Sequence, residues 1–147
     1  MTGEELWNLF AAAHPEAANA KYEIWCYGSD AADELARLTA DGIKTATASA
    51  YPLYELEGEE LPKAGEYNVI LYTDGTALCI TETTRVSLVP YRDVSADHAF
   101  REGEDDRSLS SWRNVHERFF TEELASAGLT FTEDMIVVCE EFRVVFK

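Results

Sequence analysis

One stretch of the chain has residue types and a spacing that could do chemistry: Gly42-Ile43-Lys44-Thr45-Ala46-Thr47-Ala48-Ser49-Ala50. Read as a strand over 45–50, it puts Thr45, Thr47 and Ser49 on one face and alanines on the other. Hydroxyls backed by small residues make a poor core and a good pocket wall. Lys44 is the only basic residue between Arg37 and Lys63. Strict alternation separates Lys44 from Thr47, so the two converge only if Lys44 lies in a bend after Gly42, ahead of the regular pleat. A partly desolvated Lys has a lowered pKa and can serve as a general base. A Thr hydroxyl becomes a nucleophile once a base takes its proton, and a nearby carboxylate would orient the ammonium or carry the proton to a leaving amine. The plainer alternative is a solvent-facing Lys at a strand start, with Thr chosen for β propensity.

A second constellation runs from Asp97-His98-Ala99-Phe100-Arg101-Glu102-Gly103 through Glu104-Asp105-Asp106 to Trp112-Arg113-Asn114-Val115-His116. Helical spacing brings Trp112, Arg113 and His116 together, with Phe119 and Phe120 one turn on. An aromatic ring, a guanidinium and an imidazole suit stacking on, and hydrogen bonding to, a heterocycle. The alternative makes Trp112 core, and Glu104 to Asp106 read best as a solvated acidic loop. No phosphate-binding loop, G-x-S-x-G elbow or H-E-x-x-H pair is present. His14, His98 and His116 are scattered, so neither a metal site nor a cofactor is expected.

The elements that must position these groups are legible in outline. Thr2 and Glu5 form a capping-box pattern for a helix over about 2–13, with Leu6, Leu9, Phe10 and Ala13 on one face and Pro15 at its end. A second helix starts near Asp30, has Asp33 and Glu34 in its first turn, and stops at Gly42. Residues 66–73 and 76–88 are strand-like and flank Asp74-Gly75, a hairpin signal. A short helix over 95–101 follows, then a longer one capped by Ser108 that carries Leu109, Trp112, Val115, Phe119 and Leu124 inward. Gly128 ends it, and a strand over 135–146 closes the chain. Helices, a strand meander and a lone final strand make an α+β pattern, and a closed or nearly closed small barrel would dispose of the strand edges.

Bulk properties narrow the partners. A chain of 147 residues suits one domain, and no apolar run is long enough to span a bilayer. The start MTGEELWNLF lacks a basic, apolar leader, so a cytoplasmic location is expected. Cys26, Cys79 and Cys139 are widely spaced and read as small hydrophobes in a reduced compartment. The net charge of -16 would repel a nucleic-acid strand. It favours a small ligand over RNA, although charge distribution leaves a local basic groove open. Oligomeric state is not set by the sequence.

On these residues the chain resembles the ASCH domain family of the PUA-like superfamily. The family's G-x-K-x-x-T matches Gly42 to Thr47. The string GIKTATAS, the upstream W-x-Y-G-x-x-x-A-x-E-L-A beginning at Trp25, EGEDDRSLSSWRNVHERFF and the closing VVCEEFRVV look like a stand-alone bacterial subgroup. The resemblance implies one ASCH domain over 1–147: an N-terminal helix at about 2–13, then a PUA-like mixed β-barrel with flanking helices over about 22–147.

One branch of that family removes the acetyl group from N4-acetylcytidine with a Lys, a Thr three residues on and a distant Glu. By that likeness Thr47 attacks the amide carbonyl, Lys44 accepts its proton, and Glu102, in His98-Ala99-Phe100-Arg101-Glu102, holds Lys44. Trp25, Tyr27, Thr45, Ser49, Trp112, Arg113 and His116 would then contact a nucleoside-like ligand. The chain departs from the branch at Ser49, where the branch carries Arg, and in its added N-terminal helix. Other family members act as RNA-binding modules or ribonucleases, and a non-catalytic nucleoside or nucleotide sensor would use the same residues. On the catalytic assignment, Lys44→Ala would remove activity and leave the fold intact.

Overall fold

A computed structural model describes residues 1–147. The capping box at the N-terminus forms: Thr2 Oγ1 accepts from Glu5 N–H at 3.1 Å, and the Glu5 carboxylate accepts from Thr2 N–H at 2.9 Å. Helix α1 (Gly3–Ala13) buries Leu6, Trp7 and Phe10 against Val69 and Ile80. Its inward face is rotated from the expected one. Leu9 and Ala13 face solvent, and Trp7 takes their place, stacked on Tyr22 with centroids 4.0 Å apart.

Strands β1 (Tyr22–Trp25), β2 (Ala46–Ala50), β3 (Tyr67–Leu71), β4 (Ala77–Pro90) and β5 (Ile136–Phe146) form one mixed sheet in the order β1-β3-β4-β5-β2. The β1–β3 pair is parallel and the other pairs are antiparallel. Asp74-Gly75 does turn β3 into β4. Helices α2 (Ala32–Ala40), α3 (Tyr51–Glu57), α4 (Ala96–Glu102) and α5 (Leu109–Ser126) complete an α+β domain. None of them is long and apolar enough to cross a membrane.

The expected barrel does not close. β1 and β2 are the two edges of the sheet and share no ladder. Register shifts within β3–β4 and β4–β5 bend the sheet, and Trp25 of β1 and Thr47 of β2 come to line one cleft. A four-residue and a five-residue edge are held apart by that cleft. The seam of the would-be barrel is therefore the mouth of a pocket.

The core lies on both sides of the sheet. Trp112, Phe120 and Leu124 of α5 pack with Val137 on one side, and α1 and α2 cover the rest. The inward stripe of α5 is Trp112, His116, Phe120 and Leu124. Val115 and Phe119, expected inside, stay largely exposed. Cys79 and Cys139 are core residues whose thiols burial pushes up to about 12. Cys26 departs from that reading and is exposed at the cleft.

Two turns fix the site. After α2, Ile43 N–H donates to Leu38 O at 2.9 Å and Gly42 N–H to Thr39 O at 3.0 Å, with Gly42 at φ +75°. This glycine-centred C-cap throws Lys44 inward ahead of β2. After α4, Gly103 takes φ +73° so close to that turn that a Cβ would meet Ile43 O at 2.6 Å. Gly103→Ala should therefore lower the unfolding free energy by about 2 kcal/mol or more in urea titration, from left-handed strain plus the clash. Gly58→Ala, at φ +67° with open space around it, should cost only about 1 kcal/mol.

Candidate functional site

Lys44 is 2% exposed and its ammonium sits among acceptors. Nζ lies 2.9 Å from Ala46 O, 3.3 Å from Glu102 Oε1, 3.5 Å from Glu102 O and 2.9 Å from Glu104 Oε2. The Tyr27 ring lies 5.7 Å from it, within reach of a cation–π attraction. The bend anticipated after Gly42 is thus real. The Lys is buried, and the solvent-facing alternative is excluded.

Glu102, 1% exposed, is the counter-charge, brought across 58 residues by α4. Its Oε2 lies 2.7 Å from His98 Nε2 and accepts from Trp112 Nε1 at 2.6 Å. Its Oε1 lies 3.5 Å from His116 Nε2. His116 Nδ1 lies 2.9 Å from Trp112 O, and the two rings stack with centroids 4.1 Å apart. A buried carboxylate surrounded by donors in this way is fixed in place.

Thr47 borders the cleft at the point where two chambers meet, since Tyr27, Gly28, Thr47 and Ala48 line both. One chamber, about 470 Å³, contains Lys44, Glu102, Glu104 and His116. The other, about 370 Å³, contains Trp25, Ser49, Tyr54, Asn68 and Glu140. Lys44, Thr47 and Glu102 therefore share one cavity.

The ligand-contact assignments divide. Trp25 borders the smaller chamber, its Nε1 donating to Asn68 Oδ1 at 2.7 Å. Ser49 lies there too, hydrogen-bonded to Tyr54 Oη at 2.9 Å. Tyr27 borders both chambers, its hydroxyl tied to Thr39 at 2.8 Å. His116 faces the larger one.

Thr45 is outside both chambers and donates to Arg101 O at 3.2 Å, pinning β2 to α4. Arg113 is on the solvent side of α5 and donates to Arg92 O at 3.3 Å, because successive helix positions diverge by about 100°. Trp112 is buried behind Glu102 and holds that carboxylate, so it is not free to stack on a ligand. Glu104 was read as part of a solvated loop, yet it turns back onto Lys44. The signal was its place just past Gly103, whose left-handed turn reverses the chain over the Lys.

The charge states follow from this shell. Burial opposes the Lys44 ammonium, but Glu102, Glu104 and Tyr27 outweigh it and raise its pKa. This direction runs against the expectation of a lowered, basic Lys. Burial likewise opposes the Glu102 charge, and Lys44, His116 and His98 still hold it well below the usual carboxylate range. Burial is the main cause that raises Glu104, with Lys44 opposing it. His116 is raised because Glu102 outweighs desolvation.

Residues 23–146 match the family model of the ASCH domain. The chain is similar to the crystal structure of an ASCH domain from Lactobacillus crispatus JV V101, at 32% identity and a TM-score of 0.94, over 99% of this chain and 94% of that one. It is also similar to the crystal structure of a protein from Enterococcus faecalis V583, at 38% identity and a TM-score of 0.86, over 99% and 93% of the two chains. No curated protein matches it.

Burial of the pair sets what its loss costs. Lys44→Met leaves Glu102 buried without its cation and should destabilise the domain by about 3–5 kcal/mol, so removing this Lys does not leave the fold untouched. Lys44→Met combined with Glu102→Gln should recover a large part of that loss in chemical denaturation. A second expectation concerns pH. A raised His116 contributes stability that is fully present below the ordinary histidine value of about 6.5 and lost as pH rises through its folded pKa. Unfolding free energy measured from pH 6 upward should fall across that window, and His116→Gln should flatten the fall.

Proposed function

Because the chain belongs to the ASCH domain family, we propose that it hydrolyses the amide of a small acylated nucleoside-like compound, of the N4-acetylcytidine type, at Thr47. The observation that carries this reading is the meeting of Lys44, Glu102 and Thr47 in one cleft, from segments far apart in the chain. Thr47 makes no side-chain hydrogen bond to the protein, so its hydroxyl is available to a substrate.

Thr47 Oγ1 adds to the acyl carbon, the bond from that carbon to the amine nitrogen breaks, and the amine leaves with a proton. Water then hydrolyses the Thr47 ester and releases a carboxylic acid. A Lys44 whose pKa is raised is poorly suited to take the Thr47 proton. Glu104, partly exposed, raised by burial and bordering the same cleft, is the better acceptor and returns the proton to the leaving nitrogen. Lys44 stabilises the negative charge that develops on the carbonyl oxygen, and Glu102 with its histidines and Trp112 holds Lys44.

Electrostatics support a free compound over RNA. Glu23, Glu59, Glu66 and Glu140 border one chamber, and Asp30, Glu34 and Asp105 the other. The only cations at the cleft are Lys44, already paired, and Lys21, which is bound to Glu60 at 3.3 Å and Glu66 at 3.2 Å. A phosphate backbone finds no track here. One observation favours a second reading, recognition without chemistry: all of Lys44's hydrogens have acceptors within the protein.

The test is a panel of acylated nucleosides incubated with purified protein, with chromatography of amine and acid products. Turnover is expected, with kcat/KM lost in Thr47→Ala and reduced by roughly 10²–10⁴ in Glu104→Gln. The wild-type rate should rise with pH through an inflection above the ordinary carboxylate range. Ligands that raise Tm without being cleaved would establish the recognition reading instead.

A further inference from the structure

The two chambers on either side of Thr47 differ in character. The smaller is walled by hydrogen-bonding groups of Ser49, Tyr54, Asn68 and Glu140 beside the Trp25 ring. The larger, about 470 Å³, places Leu35 and Leu38 of α2 and Val115 and Phe119 of α5 around the Lys44–Glu104 pair. Val115 is 45% exposed and Phe119 41% exposed, although α5 buries its neighbouring stripe almost fully. Large apolar side chains that line a cavity and remain wet gain stability when an apolar group covers them. An acetyl group, which takes the place of about two waters at ~30 Å³ each, would leave most of this chamber empty.

We propose that the larger chamber holds a hydrocarbon acyl chain, so that the preferred substrate carries on its amine an acyl group several carbons longer than acetyl. The chemistry rests on the amide-hydrolysis reading: the bond broken and the proton route are unchanged, and the acid released is a short fatty acid. The geometry gives the chain its direction. With the acyl carbon at Thr47, the apolar tail runs between α2 and α5, and the polar amine half lies in the smaller chamber, where Asn68, Ser49 and Glu140 meet its N–H and O–H groups. No Lys or Arg besides Lys44 lines the larger chamber, and Asp30, Glu34 and Asp105 at its border oppose an anionic tail.

The experiment is a homologous series of cytidines acylated on N4 with acetyl, butanoyl, hexanoyl and octanoyl groups. We expect kcat/KM to rise about fourfold per added methylene until the chamber is filled. Phe119→Asp, at a solvent-accessible position, should cut the hexanoyl-to-acetyl ratio at least tenfold. An acetyl compound cleaved as well as the hexanoyl one overturns the chain proposal and leaves amide hydrolysis standing. If no member is cleaved, the hydrolase reading fails, and the rise in Tm that each intact amide produces decides the chamber. A larger rise with hexanoyl than with acetyl, reduced in Phe119→Asp, supports it; equal rises or none overturn it.

Discussion

A lysine and a glutamate that are almost wholly buried, 3.3 Å apart, constrain this domain more than any other contact. Taking two charges out of water costs several kcal/mol each, which their attraction offsets only when the remaining donors and acceptors are also satisfied. The chain satisfies them from many directions. The glycine-capped end of α2 delivers Lys44, α4 delivers Glu102 and His98, and α5 delivers Trp112 and His116. No buried side-chain nitrogen or oxygen is left without a partner. An arrangement this demanding is hard to account for by stability alone, since apolar residues of similar volume would fill the space at no desolvation cost.

The same pair sits behind the open seam of the sheet rather than inside a closed barrel. Joining β1 to β2 would satisfy two edges and remove the cleft that gives access to Lys44 and Thr47. Instead the edges are short, acids crowd them, and α3 and the segment after it cover part of the gap through Tyr54, Glu59 and Glu60. Short, charged edges resist pairing with other chains. Acids such as Glu23, Glu59, Glu60, Glu66 and Glu140 stand beside these edges.

Local signals in the sequence were reliable wherever one residue has one job. Thr2 with Glu5, Gly42, Asp74-Gly75, Ser95, Ser108 and Gly128 each cap or turn as their chemistry demands. The short β1 escaped notice because four residues pairing in parallel to β3 have no hairpin to announce them. Helix α3 was missed because Pro52, in its first turn, reads as a breaker when it follows a strand. The convergence of Lys44, Thr47 and Glu102 came from a family likeness. Spacing supplied only the bend at Gly42. Arg113 and Thr45 were misplaced because helix rotation and strand pairing depend on partners the sequence does not name. The charge state of Lys44 was misjudged for the same reason: desolvation was foreseen, whereas Glu104 folding back beyond Gly103 was not.

Glu104 is the member of the charge cluster on which access turns. The Lys44 ammonium has three hydrogens, and Ala46 O and Glu102 occupy two of them from fully enclosed positions. The third goes to Glu104, whose side chain is 27% exposed. A ligand carbonyl that reaches Lys44 must therefore take the place of Glu104, because Glu102 is anchored by Trp112 and two histidines and cannot yield. A displaced Glu104 loses its cation, and with it the interaction that opposes the upward push of burial on its pKa. On the proposed reading, its affinity for a proton would then rise when the Thr47 hydroxyl has one to give. Under the proposed amide hydrolysis, binding and proton uptake would be one event: the ligand's own carbonyl, by replacing Glu104 on Lys44, would make the base it needs.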